Sequence, residues 1–143
     1  MDNHARGRHL IVTGFSHPSF STALNDQDLL AKMLHKVIDL VDMKVLVPAQ
    51  MIRVDLDPSR AESPDDCGGV TGTAVLSTSH VSIHTWPLHN RFSFDIYSCK
   101  DFDVEGVVNL LHDRIGMCGG EVISLERTPN TDLGKRIRWR TIS

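Results

Sequence analysis

Positive charge is in short supply in this chain: 15 Lys and Arg stand against 18 Asp and Glu, a formal charge of −3. Nucleic-acid binding needs a basic footprint, so that class is set aside. The one cationic cluster, Lys135-Arg136-Ile137-Arg138-Trp139-Arg140, alternates with apolar residues and reads as a strand or solvated tail rather than a polyanion site. Cysteine is scarce as well. Cys67, Cys99 and Cys118 are an odd number without C-x-x-C spacing, which argues against a disulfide framework and suits a reducing cytoplasm. Aromatic residues make up only 6%, so the core must be aliphatic. No apolar run approaches the ~20 residues of a membrane-spanning helix, and the Met1-Asp2-Asn3-His4 opening lacks the apolar centre of a signal peptide. The expectation is a soluble, cytoplasmic protein with neither membrane nor nucleic-acid partner. With 143 residues, 41% of them hydrophobic, residues 1–143 form one domain.

What is present has a clear order. Gly7 to Phe15 reads as a first strand. Asn25 stands where an N-cap would, with Asp26 and Asp28 at the positive end of a helix. Behind it Leu29, Leu30, Met33, Leu34, Val37, Ile38 and Val41 recur at helical spacing. Met43 to Leu56 is extended, with Pro48 marking a break, bulge or edge position because it cannot donate to a ladder. Asp57 to Gly69 is a loop by composition. Val70–Leu76, Ser79–Trp86 and Arg91–Cys99 are strands, the last two joined as a hairpin by Pro87-Leu88-His89-Asn90. A second helix starts after Asp103 and ends near Gly116, or by Gly119-Gly120. Glu121–Arg127 is a further strand, and the Arg138-Trp139 region can supply a last one. Two helices cannot cover both faces of so many strands. The economical solution is an α+β two-layer sandwich, a largely antiparallel sheet with both helices on one face. The other face then needs water or a partner.

The run Ser77-Thr78-Ser79-His80-Val81-Ser82-Ile83-His84-Thr85-Trp86-Pro87 crowds three serines and two histidines into a strand pattern. His80 and His84 suit a shared metal only on a helix. On a strand, residues four apart are separated by roughly 13 Å, too far for two bonds of about 2 Å to one zinc ion. A serine hydrolase is disfavoured too, because the G-x-S-x-G elbow is absent. The bland alternative is a two-sided strand whose small polar residues face solvent. Against it stand the rigid Trp86-Pro87 closure, the close backbone approach that Gly68-Gly69 and Gly72 permit, and Cys99 at the end of the next strand.

Gly69-Val70-Thr71-Gly72, the run from Ser79 to Pro87, Asp95-Ile96-Tyr97-Ser98-Cys99 and the opening Gly7-Arg8-His9-Leu10 together resemble the bacterial and archaeal S-adenosylmethionine decarboxylases. The resemblance covers about Gly7 to Arg127. It implies a proenzyme that makes its own pyruvoyl cofactor: a serine hydroxyl attacks the preceding carbonyl, the resulting ester eliminates, and the new N-terminus becomes pyruvoyl. By position it implies cleavage between Thr78 and Ser79, with Ser79 the pyruvoyl precursor. It implies His84 as the processing histidine, Thr71 where the family usually has a processing serine, and Cys99 as the acid that reprotonates the decarboxylated carbon. The small-molecule substrate would be held as a Schiff base, no metal is implied, and the minimal unit is a homodimer with its sites at or near the subunit interface. Such a dimer would cover the spare sheet face.

Two positions depart from the family. Thr78 replaces a glutamate before the cut; its side chain is not required, but a β-branched residue is expected to slow the shift. Leu88 replaces the glutamate that binds the substrate ribose, and leucine accepts no hydrogen bond. That loss opens a rival substrate, ornithine or arginine, which have no ribose. A third possibility is an unprocessed, non-catalytic homologue. S-adenosylmethionine, the decarboxylation of which supplies aminopropyl groups for spermidine synthesis, remains the first expectation.

Overall fold

Alternating polarity becomes a single seven-stranded sheet in the computed structural model, which describes residues 7–63, 67–129 and 137–143. The strands are β1 (Gly7–Ser16), β2 (Val45–Val54), β3 (Gly69–Leu76), β4 (Ser79–Trp86), β5 (Arg91–Ser98), β6 (Met117–Arg127) and β7 (Ile137–Ile142). Their spatial order is β2-β3-β4-β5-β1-β6-β7, and all six pairings are antiparallel. The readings placed on Met1–His4, on Pro64, Asp65 and Asp66 of the long loop, and on Lys135 and Arg136 lie outside the described residues.

Three helices, not two, cover one face: α1 (Ser21–Leu24), α2 (Gln27–Val41) and α3 (Val104–Ile115). The short α1 escapes the periodicity because four residues make barely one turn. It also moves the expected cap. Asn25 closes α1, donating its N–H to Thr22 O at 3.1 Å, and Asp26 caps α2 by accepting from Leu29 N at 3.1 Å. Asp103 caps α3, and Gly116 ends it at φ 65°, a left-handed turn that an L side chain adopts at a cost. The aliphatic stripes of α2 (Leu30, Met33, Leu34, Val37, Ile38) and α3 (Val107, Leu111, Ile115) bury against Leu10, Val12, Val81, Ile83, Phe92, Phe94 and Ile96 of the central strands.

Pro48 falls on the edge strand β2, where the register to β3 shifts between Val45 and Gln50. The Ala49 N–H beside it turns to His35 Nε2 of α2 at 3.3 Å. The loop after β2 contains a 3₁₀ turn, Pro58–Arg60. Gly69 packs where an added Cβ would lie 2.0 Å from Thr85 O. Thr85 is itself a buried tie, accepting from Val70 N at 2.9 Å and donating to Leu24 O at 2.7 Å, so β3, β4 and α1 lock at one hydroxyl.

The face without helices carries Ile11, Phe15, Val47, Ile52, Val54, Val75 and Trp139. Six of these side chains are exposed; Phe15, Ile52, Val54 and Trp139 are each more than half exposed. Between these apolar flanks runs a polar strip from β3, β4 and β5: Thr71, Thr73, His80, Ser82, His84, Ser93 and Asp95. No helix among the described residues is long and apolar enough to cross a membrane.

Candidate active site

Strand alternation sorts the residues singled out in the sequence into two groups. Ser79 opens β4 pointing towards the helices and is buried, as are Val81, Ile83 and Thr85 after it. His80, Ser82 and His84 point to the open face.

The first group sits at the β3–β4 turn. Ser77 and Thr78 are the two linking residues, with Leu76 paired to Ser79. Thr78 has φ 54°, the left-handed region that a β-branched residue rarely enters, and its hydroxyl donates to Ser77 O at 2.9 Å. Ser77 N donates to Lys44 O at 2.9 Å, which fixes the turn from outside. The end of β5 returns here, as the hairpin expectation requires. Cys99 N donates to Ser79 Oγ at 3.0 Å, and Cys99 Sγ lies 3.9 Å from Ser77 O. The Thr78 hydroxyl, then the Ser79 hydroxyl, draw the Cys99 thiol below its ordinary 9.0, against a partial opposing effect of burial. A serine hydroxyl, the strained carbonyl-bearing residue before it and an acidic thiol thus meet at one point.

The second group lies at the far end of β4. Thr71 Oγ1 and His84 Nδ1 approach to 3.2 Å across the β3–β4 ladder. Both are exposed. His84 is five residues beyond Ser79, a separation of about 16 Å along a strand, and faces the other way. Within one chain the structure brings Ser79 to Thr78 and Cys99, and Thr71 to His84, but not the two groups to each other. Leu88 lies further on, in the turn after β4. It lines a cleft of about 810 Å³ with Asn25, Asp26, Asp28, Arg53 and Pro87; Ser79 and Cys99 do not line it.

One cluster was not singled out from the sequence. His9, His80 and Asp95, from β1, β4 and β5, converge on the open face. Only cross-strand register unites them, because His9 is 86 positions from Asp95. The family-like segments contain all three, which is the one signal that could have raised them.

Known proteins supply the frame for this geometry. The sequence profile described as "S-adenosylmethionine decarboxylase" matches residues 8–128. Among curated relatives, the S-adenosylmethionine decarboxylase proenzyme of Methanococcus maripaludis (strain C5) is 38% identical over 95 residues, covering 66% of each chain. That of Geobacillus sp. (strain WCH70) is 37% identical over 59 residues, 41% of this chain and 48% of the relative. That of Prochlorococcus marinus (strain MIT 9313) is 35% identical over 71 residues, 49% and 57% of the two chains. The matches thus span about half to two thirds of these relatives' length. The crystal structure of the adenosylmethionine decarboxylase from Aquifex aeolicus VF5 superposes with a TM-score of 0.57 at 16% identity, over 96% of this chain and 88% of that one, so the two share a fold. With a profile match across most of its length, the chain belongs to the S-adenosylmethionine decarboxylase family.

Proposed function

We propose that this chain is a self-cleaving, pyruvoyl-dependent decarboxylase of S-adenosylmethionine, cut between Thr78 and Ser79. The observation that carries the reading is the turn itself: a buried Ser79 hydroxyl anchored by Cys99 N–H directly follows a residue in a left-handed conformation. Ser79 Oγ attacks the Thr78 carbonyl carbon, the C–O bond forms as the C–N bond breaks, and the hydroxyl proton passes to the freed nitrogen. Removal of the Ser79 α-proton then expels the Thr78 carboxylate, and water releases the nitrogen as ammonia. These residues fit the group they would generate, since the new chain end would start at the head of a paired strand beside Cys99. The pyruvoyl group supplies a carbonyl for the substrate amine and an electron sink as carbon dioxide leaves. Cys99 provides the proton that replaces the lost carboxylate, since it lies beside residue 79, its N–H 3.0 Å from Ser79 Oγ.

His84 enters from a second copy of the chain. In one protomer it is too far from Ser79 to accept a proton, whereas the open face carries six exposed apolar side chains that a second copy would cover. A two-fold dimer through that face would bring the Thr71–His84 pair of each protomer to the partner's β3–β4 turn, where Thr78, the residue before Ser79, is exposed. The rival substrates, ornithine and arginine, are not favoured: the relatives named above are S-adenosylmethionine decarboxylase proenzymes. Leu88 leaves the ribose contact to other groups. The chain acts as a soluble cytoplasmic homodimer on a small molecule and needs no resident metal.

Intact mass after expression, followed by release of labelled carbon dioxide from S-adenosylmethionine, ornithine and arginine in turn, tests the reading. Two fragments and release from S-adenosylmethionine alone are expected; one uncut chain, or release only from a basic amino acid, would refute it.

Thr78 allows a finer test. A left-handed β-branched residue costs on the order of 1–3 kcal/mol, and the strain sits on the residue whose carbonyl is attacked. Thr78→Gly removes strain and bulk together. If strain dominates, as the φ of 54° indicates, cutting slows by roughly tenfold, the rate equivalent of ~1.4 kcal/mol, while the uncut chain becomes more stable. Faster cutting would mean that side-chain bulk is the larger effect. A time course of cleavage on a gel decides.

A further inference from the structure

On the open face, three side chains from three adjacent strands meet at one oxygen. His9 Nε2 lies 2.8 Å and His80 Nε2 2.9 Å from Asp95 Oδ2. An ionised carboxylate only accepts, so each imidazole turns a protonated Nε2 towards it. Arg127 Nη1, 3.4 Å from His9 Nδ1, can only donate there, which independently places the His9 proton on Nε2. The same arrangement disfavours a metal ion, because the two nitrogens facing Asp95 present protons and not lone pairs. Burial pushes the Asp95 carboxyl up, but the hydrogen bonds from His9 and then His80 outweigh it and hold its pKa below the ordinary 3.8. Tyr97 stacks on His80 at 6.2 Å between ring centroids, and Arg127 sits 4.9 Å over Tyr97.

His80 is the residue that directly follows Ser79. Before cleavage the head of β4 is held by its covalent link to the turn as well as by its ladders. After cleavage that link is gone, and residue 79 is a free chain end of the kind that frays. The amide of His80 then carries the newly formed group, so any sway of His80 moves the reacting atoms relative to Cys99. Two imidazoles on one oxygen tie β4 to β5 and, through His9, to β1.

We propose that His9 and Asp95 are positioning residues for decarboxylation: they clamp the His80 side chain and so hold the cut end of β4 against Cys99. The inference rests on the self-cleavage reading above. The clamp matters after the cut and not before it, because the intact chain already restrains residue 79.

The clamp predicts a split between processing and turnover. Asp95→Asn and His80→Ala chains should cut as fully as the parent and keep KM for S-adenosylmethionine within about twofold, while kcat falls roughly tenfold or more. For His9, glutamine preserves an N–H donor and alanine does not, so His9→Gln should retain most of the kcat that His9→Ala loses. The His9 pair keeps the test open if Asp95→Asn does not fold, since His80 and Asp95 stay together in both. Assays well below the unfolding midpoint separate the clamp from stability, because a merely structural role would lower Tm and leave kcat in place. Wild-type kcat in the cut variants, failure of the folded variants to cut, or equal kcat for the two His9 variants would overturn the clamp. If the parent chain itself stays whole, the self-cleavage reading falls and the clamp with it. A cut, active parent with indifferent variants sinks the clamp alone.

Discussion

Ser79→Ala should leave one uncut chain of 15.9 kDa where the parent yields residues 1–78 and 79–143. The loss should be complete, because an alanine methyl cannot attack the Thr78 carbonyl, and without an ester at residue 79 there is nothing to eliminate. His84→Ala should also stay uncut if His84 is the processing base. Co-expression of the two makes the arrangement visible. A mixed dimer combines the Ser79 of the His84→Ala chain with the His84 of the Ser79→Ala chain, completing one site of two. His84→Ala chains should then be cut and Ser79→Ala chains never. If His84 instead served the Ser79 of its own chain, the mixture would stay whole. Folding of Ser79→Ala is not at issue, since deleting one hydroxyl from a strand end removes a single hydrogen bond, that from Cys99 N, worth about 1 kcal/mol.

Cys99→Ala should cut normally and then turn over 10²- to 10⁴-fold more slowly, the range typical of a lost general acid. The thiol's surroundings add a pH signature. The protonated form is the donor, so kcat falls as pH rises through the thiol's pKa; the lowering of that pKa in the uncut chain rests on the Thr78 hydroxyl and partly on the Ser79 hydroxyl, which the cut consumes. Activity is therefore full on the acid side and lost on the alkaline side. That limb should vanish from the residual activity of Cys99→Ser. Wild-type turnover by Cys99→Ala would remove the residue from the mechanism.

Much of this was legible in the chain. Strand alternation from Ser79 to Trp86 excluded a shared ion on His80 and His84, and the register of β3, β4 and β5 bears the alternation out. The turn at Pro87–Asn90, the Asp103 cap and the Gly116 stop carry their own local chemistry, and all three are where the residues said. What was hidden has a common cause. A cap at Asn25 or Asp26 is decided by α1, a single turn too short for periodicity. The meeting of His9 with Asp95 is decided by β1 inserting beside β5, which no local pattern encodes. The separation of His84 from Ser79 was present in the parity of their numbers, 84 and 79, since odd and even positions of a strand face opposite sides. A likeness to a family unites residues by role; only the pleat shows that they face apart.

The strand order has one further consequence. The proposed cleavage after Thr78 would divide β1, β2 and β3 from β4 to β7, yet β1 lies between β5 and β6, and β3 lies against β4. The two pieces are interleaved, and neither carries a contiguous sheet of its own. Parting them means unzipping three ladders at once. Once denatured, a protein matured by that cut would be two molecules, and its refolding would be second order and dependent on concentration, whereas the precursor would refold as one chain. Under the proposed scheme, folding would therefore precede the cut, and the cut would make the folded state hard to regain once lost.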